Sequence, residues 1–177
     1  MFINDLGKPD GKYRHIFHKG NDSIACNGLN FPNNAPGLYL SPNTNELTVI
    51  MNTYDVINEE VTVPNIPLNK WFNVMLRCHS KSFDVYINGT IAKSIHLVGV
   101  PKQNFGNVFV ALNGGFDGFI SNLWYFNHAL GTAHIQSIVN RGPDITQKDS
   151  KNPLLQKDPD YLSVRWYFYG NKDLYNP

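Results

Sequence analysis

The chain has 177 residues, of which 42% are apolar, 13% aromatic and only 16% charged, with 14 Gly and 11 Pro; this mix fits many short strands joined by turns and argues against a helical bundle. Its 15 basic and 14 acidic residues leave a formal net charge of +1, and no Lys/Arg run supplies the footprint a phosphate backbone needs, which excludes nucleic acid as the main partner. The length suits one domain with a sizeable core, no stretch approaches the roughly 20 apolar residues of a membrane span, and the start MFINDLGKPDGKYRH lacks the basic and apolar regions of a signal peptide.

Met1-Phe2-Ile3 reads as the end of a strand whose beginning is absent, compatible with a piece of a longer protein whose targeting signals lie elsewhere. Residues 13–19, YRHIFHK, predict a strand with Tyr13, His15 and Phe17 on one face, ended by Gly20 and the polar turn Asn21-Asp22-Ser23. Residues 26–36, CNGLNFPNNAP, have almost no periodicity and are dense in Asn, Pro and Gly, so they are expected to run over the surface. GLYL (37–40) and ELTVIMN (46–52) around SPNTN predict a hairpin with Leu47, Val49 and Met51 facing one way. TYDVINEE (53–60) reads as an exposed loop, and Val61-Thr62-Val63 resumes extended structure before Pro64 and Pro67.

The most legible stretch is 70–97, KWFNVMLRCHSKSFDVYINGTIAKSIHL. Val74, Leu76 and Cys78 alternate with Met75, Arg77 and His79, then Phe83, Val85 and Ile87 with Asp84, Tyr86 and Asn88, the period of two that a half-buried strand requires. Asn88-Gly89 then predicts a type I′ reversal, because both central residues of that turn need positive φ. Ile91, Ile95 and Leu97 continue the apolar pattern.

Residues 107–127, NVFVALNGGFDGFISNLWYFN, predict two strands, the first with Val108, Val110 and Leu112. The second, from Phe119 through Phe126, is largely apolar on both faces and is expected to sit centrally. A helix over 130–140 carries the stripe Ile135, Ile138 and Val139, with Thr132 as a cap and Gly142 as the stop before Pro143. Residues 144–160 read as a linker, and YLSVRWYFY (161–169) as a strand returning to the domain.

Taken together, IFHKG, GLYL, NELTVIMN, KWFNVMLRC, FDVYINGTI and GGFDGFISNLWYFNHALGTAHIQSIVNRGP resemble the concanavalin A-like lectin/glucanase superfamily, nearest to its laminin G-like and pentraxin-like branch, over roughly residues 13–143. The wording of the segments is most similar to laminin G-like modules of large DNA virus proteins. The resemblance implies an all-β fold, an antiparallel jelly-roll sandwich of two sheets with one short helix, and domain limits of 1–143 for the sandwich, 144–160 for the linker and 161–177 for the returning strand. It also implies a strand before IFHKG, for which only residues 2–6 are available unless the C-terminal strand takes its place.

Glucan-hydrolysing members of that superfamily use two Glu on one face of a strand. The nearest acidic group here, Asp55 with Glu59-Glu60, lies in a loop and at a strand start, and adjacent Glu59 and Glu60 would face opposite ways, so no catalytic pair is expected and the chain is read as non-enzymatic. His15, His18, His79, His96, His128 and His134 are spread over several predicted elements without metal-ligand spacing, and Gly114-Gly115 lacks the Lys-Ser/Thr of a phosphate loop. Cys26 and Cys78 read as unpaired thiols. The family resemblance makes calcium the cofactor to consider, with Asp22, Asp55 and Asp117 as the loop carboxylates, although ligand count argues against a metal.

Glycan binding needs a platform aromatic and groups to hold hydroxyls. Two loops offer them: Asn52, Tyr54 and Asp55, and Asn113, Phe116 and Asp117. Asn21-Asp22-Ser23 and Asn88-Gly89-Thr90 match the N-glycosylation pattern. The expected function is a recognition module for carbohydrate or a glycosylated surface, displayed on a virion or cell exterior. The alternatives are a structural virion or surface component docking protein neighbours through the sandwich and C-terminal tail, and a degenerate glycoside hydrolase.

Overall fold

Alternation along the chain becomes two packed layers in a computed structural model that describes residues 1–144. The expected linker at 144–160, apart from Asp144, and the strand at 161–177 lie outside the described residues. The elements are β1 (Phe2–Asp5), β2 (Arg14–Gly20), β3 (Gly37–Leu40), β4 (Glu46–Met51), β5 (Glu59–Pro64), β6 (Val74–His79), β7 (Ser82–Ile87), β8 (Thr90–His96), β9 (Asn107–Val110), β10 (Asp117–Phe119) and α1 (Thr132–Arg141). One antiparallel sheet has the order β5-β4-β3-β2-β9, a second has β6-β7-β8, and β1 pairs with β10. A bridge from Phe2 to Trp71 joins that short pair to the segment leading into β6. The chain is therefore the antiparallel β-sandwich expected from its sequence.

Between the layers lies the main core, where Leu38, Leu40, Leu47, Val49, Met51, Val61 and Val63 meet Phe83, Val85 and Leu97. Leu47, Val49 and Met51 face one way as expected, and Val74, Leu76 and Cys78 pack against the same core. Asn88 at φ 50° and Gly89 at φ 79° supply the two positive angles of the I′ turn. Both thiols, Cys26 and Cys78, are free.

Five expectations need correction. Along β2 an extra residue at Ile16 breaks the alternation: His15 pairs with Tyr39 and Phe17 with Leu38, so Phe17 turns to the core while His15 and His18 share the outer face. A second bulge between Val85 and Tyr86 sets Tyr86 opposite Ile91, and Ile91 points outward at 53% exposure while Ile95 and Leu97 keep to the core. Residues 26–36 are not a surface excursion, since Leu29, Asn30, Asn34 and Ala35 are buried. The last strand ends at Phe119, and residues 120–127 run on without strand pairing instead of occupying a sheet centre. Thr132 does not cap α1; Gly131 is the N-cap, without a side-chain bond, whereas Gly142 closes the helix at φ 70° as expected.

The buried loop works because its polar groups are paired. Tyr39 donates its hydroxyl to Asn34 Oδ1 at 2.6 Å, Asn34 Nδ2 donates to the Asn30 carbonyl at 2.7 Å, and the Asn52 N–H donates to the Asn34 carbonyl at 2.7 Å. Asn30 Nδ2 in turn donates to the Asn21 carbonyl and Oδ1, each at 2.9 Å. Gly37 has to be Gly here: a Cβ would fall 2.5 Å from Asn34 Oδ1. This amide layer seals the outer face of the larger sheet over Tyr39, Ile50 and Leu29.

Candidate functional site

The two predicted ligand loops are not neighbours. The register pairs Gly37 with Ile50 and Gly20 with Asn107, so β2 and β4 end, and β3 and β9 begin, at one end of the large sheet. Asn52, Tyr54 and Asp55 follow β4 there. Val110 pairs with Phe17 and Arg14 with Leu40, so Asn113, Phe116 and Asp117, which follow β9, lie beyond the opposite end.

Their side chains are also committed in different ways. Asn52 is buried, donates to the Pro32 carbonyl and accepts the Asn58 N–H at 2.9 Å, which commits its amide to the fold. Tyr54 and Asp55 are exposed, while Phe116 packs against the core. Asp117 Oδ1 accepts from Asn4 Nδ2 at 2.7 Å, and Asn113 sits in a turn at φ 52°. Asp22 follows β2 at the same end as Asp55, and Asp117 lies at the other; among the described residues no group of three His, Cys, Asp or Glu is gathered to hold a cation. Glu59 accepts the Val98 N–H at 3.0 Å, and its strand directs it with Val61 and Val63, with Glu60 on the other face.

A different surface concentrates ligand-binding side chains. On the outer face of β6-β7-β8, Tyr86 packs with Leu130 and Ile135, and Met75, Phe126 and Ile138 close around them. Below the helix start, Arg77 pairs with Asp84 at 3.0 Å and donates from Nε to the Leu130 carbonyl at 3.0 Å, while Ser94 donates to Asp84 Oδ1 at 2.6 Å. These contacts hold the chain where it enters α1, which is what lets so short a helix keep its place on the sheet.

The segment 120–127 runs alongside that helix, and a groove of about 470 Å³ opens between them, lined by Leu123, Trp124, Tyr125, His134, Ser137 and Arg141 among others. This is within the roughly 300–1,000 Å³ range of small-ligand clefts. Tyr125 is 80% and Trp124 41% exposed, unusual for rings that bury so much area when they have a partner. The Arg141 guanidinium lies 5.0 Å from the Trp124 ring centroid, a cation–π contact that fixes both, and no described carboxylate forms an ion pair with it. Phe126 stands edge-on to Trp124 at 6.3 Å and to His134 at 5.6 Å, forming the floor.

Reading 119–126 as a central strand hid this groove. The signal available was the run Leu123-Trp124-Tyr125-Phe126 placed directly before a helix whose polar face carries His134, Ser137 and Arg141.

No curated protein matches the chain significantly. Among solved structures, it is similar to the botulinum neurotoxin serotype G binding domain, at 12% identity and TM-score 0.49, over 73% of this chain and 31% of that one. A botulinum neurotoxin type G receptor binding domain gives 13% identity and TM-score 0.45 over 73% and 32%. An S-layer domain-containing protein from Clostridium thermocellum gives 16% identity and TM-score 0.34 over 78% and 69%. The chain thus spans about a third of the two neurotoxin chains. Residues 9–136 match a laminin G family model described as the concanavalin A-like lectin/glucanases superfamily, and the chain belongs to that family.

Proposed function

We propose that this chain is a non-enzymatic recognition module that binds carbohydrate, free or on a glycosylated surface, in the groove between residues 123–126 and α1. The observation that carries the reading is the exposed Trp124 ring fixed under the Arg141 guanidinium beside Tyr125. A sugar presents an apolar C–H face and a rim of hydroxyls; indole and phenol rings take the first, and guanidinium, hydroxyl and imidazole groups along α1 take the second. Arg141 holds its guanidinium over the indole, 5.0 Å from the ring centroid, and its N–H groups suit an acceptor.

A glycan array followed by titration calorimetry, with and without calcium, tests this. Binding is expected to fall by about 2 kcal/mol, roughly thirtyfold, on Trp124→Ala. An array without hits under both conditions would sink the proposal. A protein neighbour docking on the same surface is the second reading, favoured by the exposed Leu123 beside Tyr125. Self-association in analytical ultracentrifugation that Tyr125→Ser abolishes would select it.

A further inference from the structure

His15 and His18 are buried, at 2% and 0% exposure, on the outer face of the large sheet. The Leu112 N–H donates to His15 Nδ1 at 2.9 Å, His15 Nε2 lies 2.6 Å from His18 Nδ1, and His18 Nε2 lies 2.6 Å from the Asn21 carbonyl oxygen. A backbone N–H can only donate and a carbonyl can only accept, so the ends of this chain fix its direction. His15 Nδ1 accepts and its Nε2–H donates; His18 Nδ1 accepts and its Nε2–H donates. Three hydrogen bonds need two ring protons, one on each neutral imidazole. A third proton forces two donors to face each other, at Leu112 or between the rings, whichever ring receives it.

Among the described residues the surroundings offer no carboxylate to offset that charge. From β3, Tyr39 stands 5.4 Å from His15 with its hydroxyl donated to Asn34, and burial pushes its pKa up to about 12, so it remains neutral. From β9, Phe109 stacks on His18 at 5.2 Å. From the loop after β2 come the Asn21 and Asn30 amides, with Asp22 turned to solvent. On β2 itself Lys19 donates to the Gly106 carbonyl, and Glu46 and Glu60 act on Tyr13 farther along the sheet. Neither histidine is in an ion pair among the described residues.

We propose that His15 and His18 form an acid-released latch: while both rings are neutral they tie the 111–115 turn to the sheet and to the loop after β2, and an added proton, seated at His15 Nδ1 against the Leu112 N–H, frees the turn while His18 keeps its bond to the Asn21 carbonyl. The latch joins elements far apart in sequence. Leu112 belongs to the turn that Gly115 closes by donating to its carbonyl at 2.9 Å, and the Asn21 carbonyl is also held by Asn30 of the buried loop.

Ring-nitrogen NMR and amide hydrogen exchange on the unmodified protein between pH 7.5 and 4.5 test the latch. Both rings are expected to be Nε2–H tautomers at neutral pH. Once corrected for intrinsic exchange, opening at Leu112 should rise by about tenfold per pH unit below 6.5, while the β6–β7 hairpin stays unchanged. Nδ1 protonation at neutral pH, or proton uptake by the rings with Leu112 protection intact, overturns it. A His15→Leu/His18→Phe double variant that folds should lose this pH dependence; retention of the dependence also overturns the proposal. If it does not fold, the measurements on the unmodified protein decide.

Discussion

The two outer faces of the sandwich are covered in opposite ways. Over the large sheet, a loop rich in Asn lies flat, and its amides, Tyr39 and the histidine pair satisfy one another out of water. Over the small sheet, one ten-residue helix covers only Tyr86 and its neighbours and leaves Trp124 and Tyr125 beside an open groove. A polar network with every partner inside the protein has no valence left for a ligand, and each member becomes costly to remove. Exposed rings beside a cation have the reverse character: they add little to folding and retain their binding capacity. The difference teaches that the loop amides, among them the Asn52 expected to hold hydroxyls beside Tyr54, mark structure here, while the aromatic run marks the surface left open.

Breaking the sealed face should have the largest effect. Asn34→Ala strands the Tyr39 hydroxyl and the Asn30 carbonyl, and is expected to cost about 2–4 kcal/mol in urea denaturation while leaving the groove's ligand affinity unchanged. Acid acts on the same face. Burial, reinforced by the neighbouring His18, lowers the His15 pKa from 6.5 to about 4, and burial lowers that of His18 as well. Each folded-state pKa lies below its unfolded value, so the stability is complete above 6.5 and falls as pH drops from 6.5 toward about 4; for His15 alone the loss by pH 5 is about 2 kcal/mol, readable as a falling urea midpoint.

On the open face, Trp124→Ala should change folding stability by only about 0.5 kcal/mol, even as it abolishes most binding. A loss several times larger would show that the ring belongs to the core. The smallest effect is expected for Ile91→Thr, about zero within 0.5 kcal/mol by thermal melting, because the bulge in β8 turns that side chain to solvent. A cost approaching that of a buried isoleucine would restore the unbroken alternation read from the sequence.

Local pattern determined much of the molecule. The hairpin at Asn88-Gly89, the inward set Leu47, Val49 and Met51 and the stop at Gly142 are legible because turn dihedrals and strand periodicity act over a few residues, and the family through the resemblance of whole segments. Tertiary structure decided the rest. Period two does not reveal where an extra residue resets its phase, so the sharing of one face by His15 and His18 depended on a bulge that only pairing with β3 defines. Likewise CNGLNFPNNAP carries the composition of a solvated loop, and it is buried because Tyr39 on the next strand, with Asn52 and Asn58 farther along the chain, supplies the hydrogen bonds that water would otherwise make. The groove depended on the path after Phe119, where the chain leaves its strand to run beside α1, a choice set by packing on Tyr86 and Leu130 that no periodicity in residues 119–126 encodes.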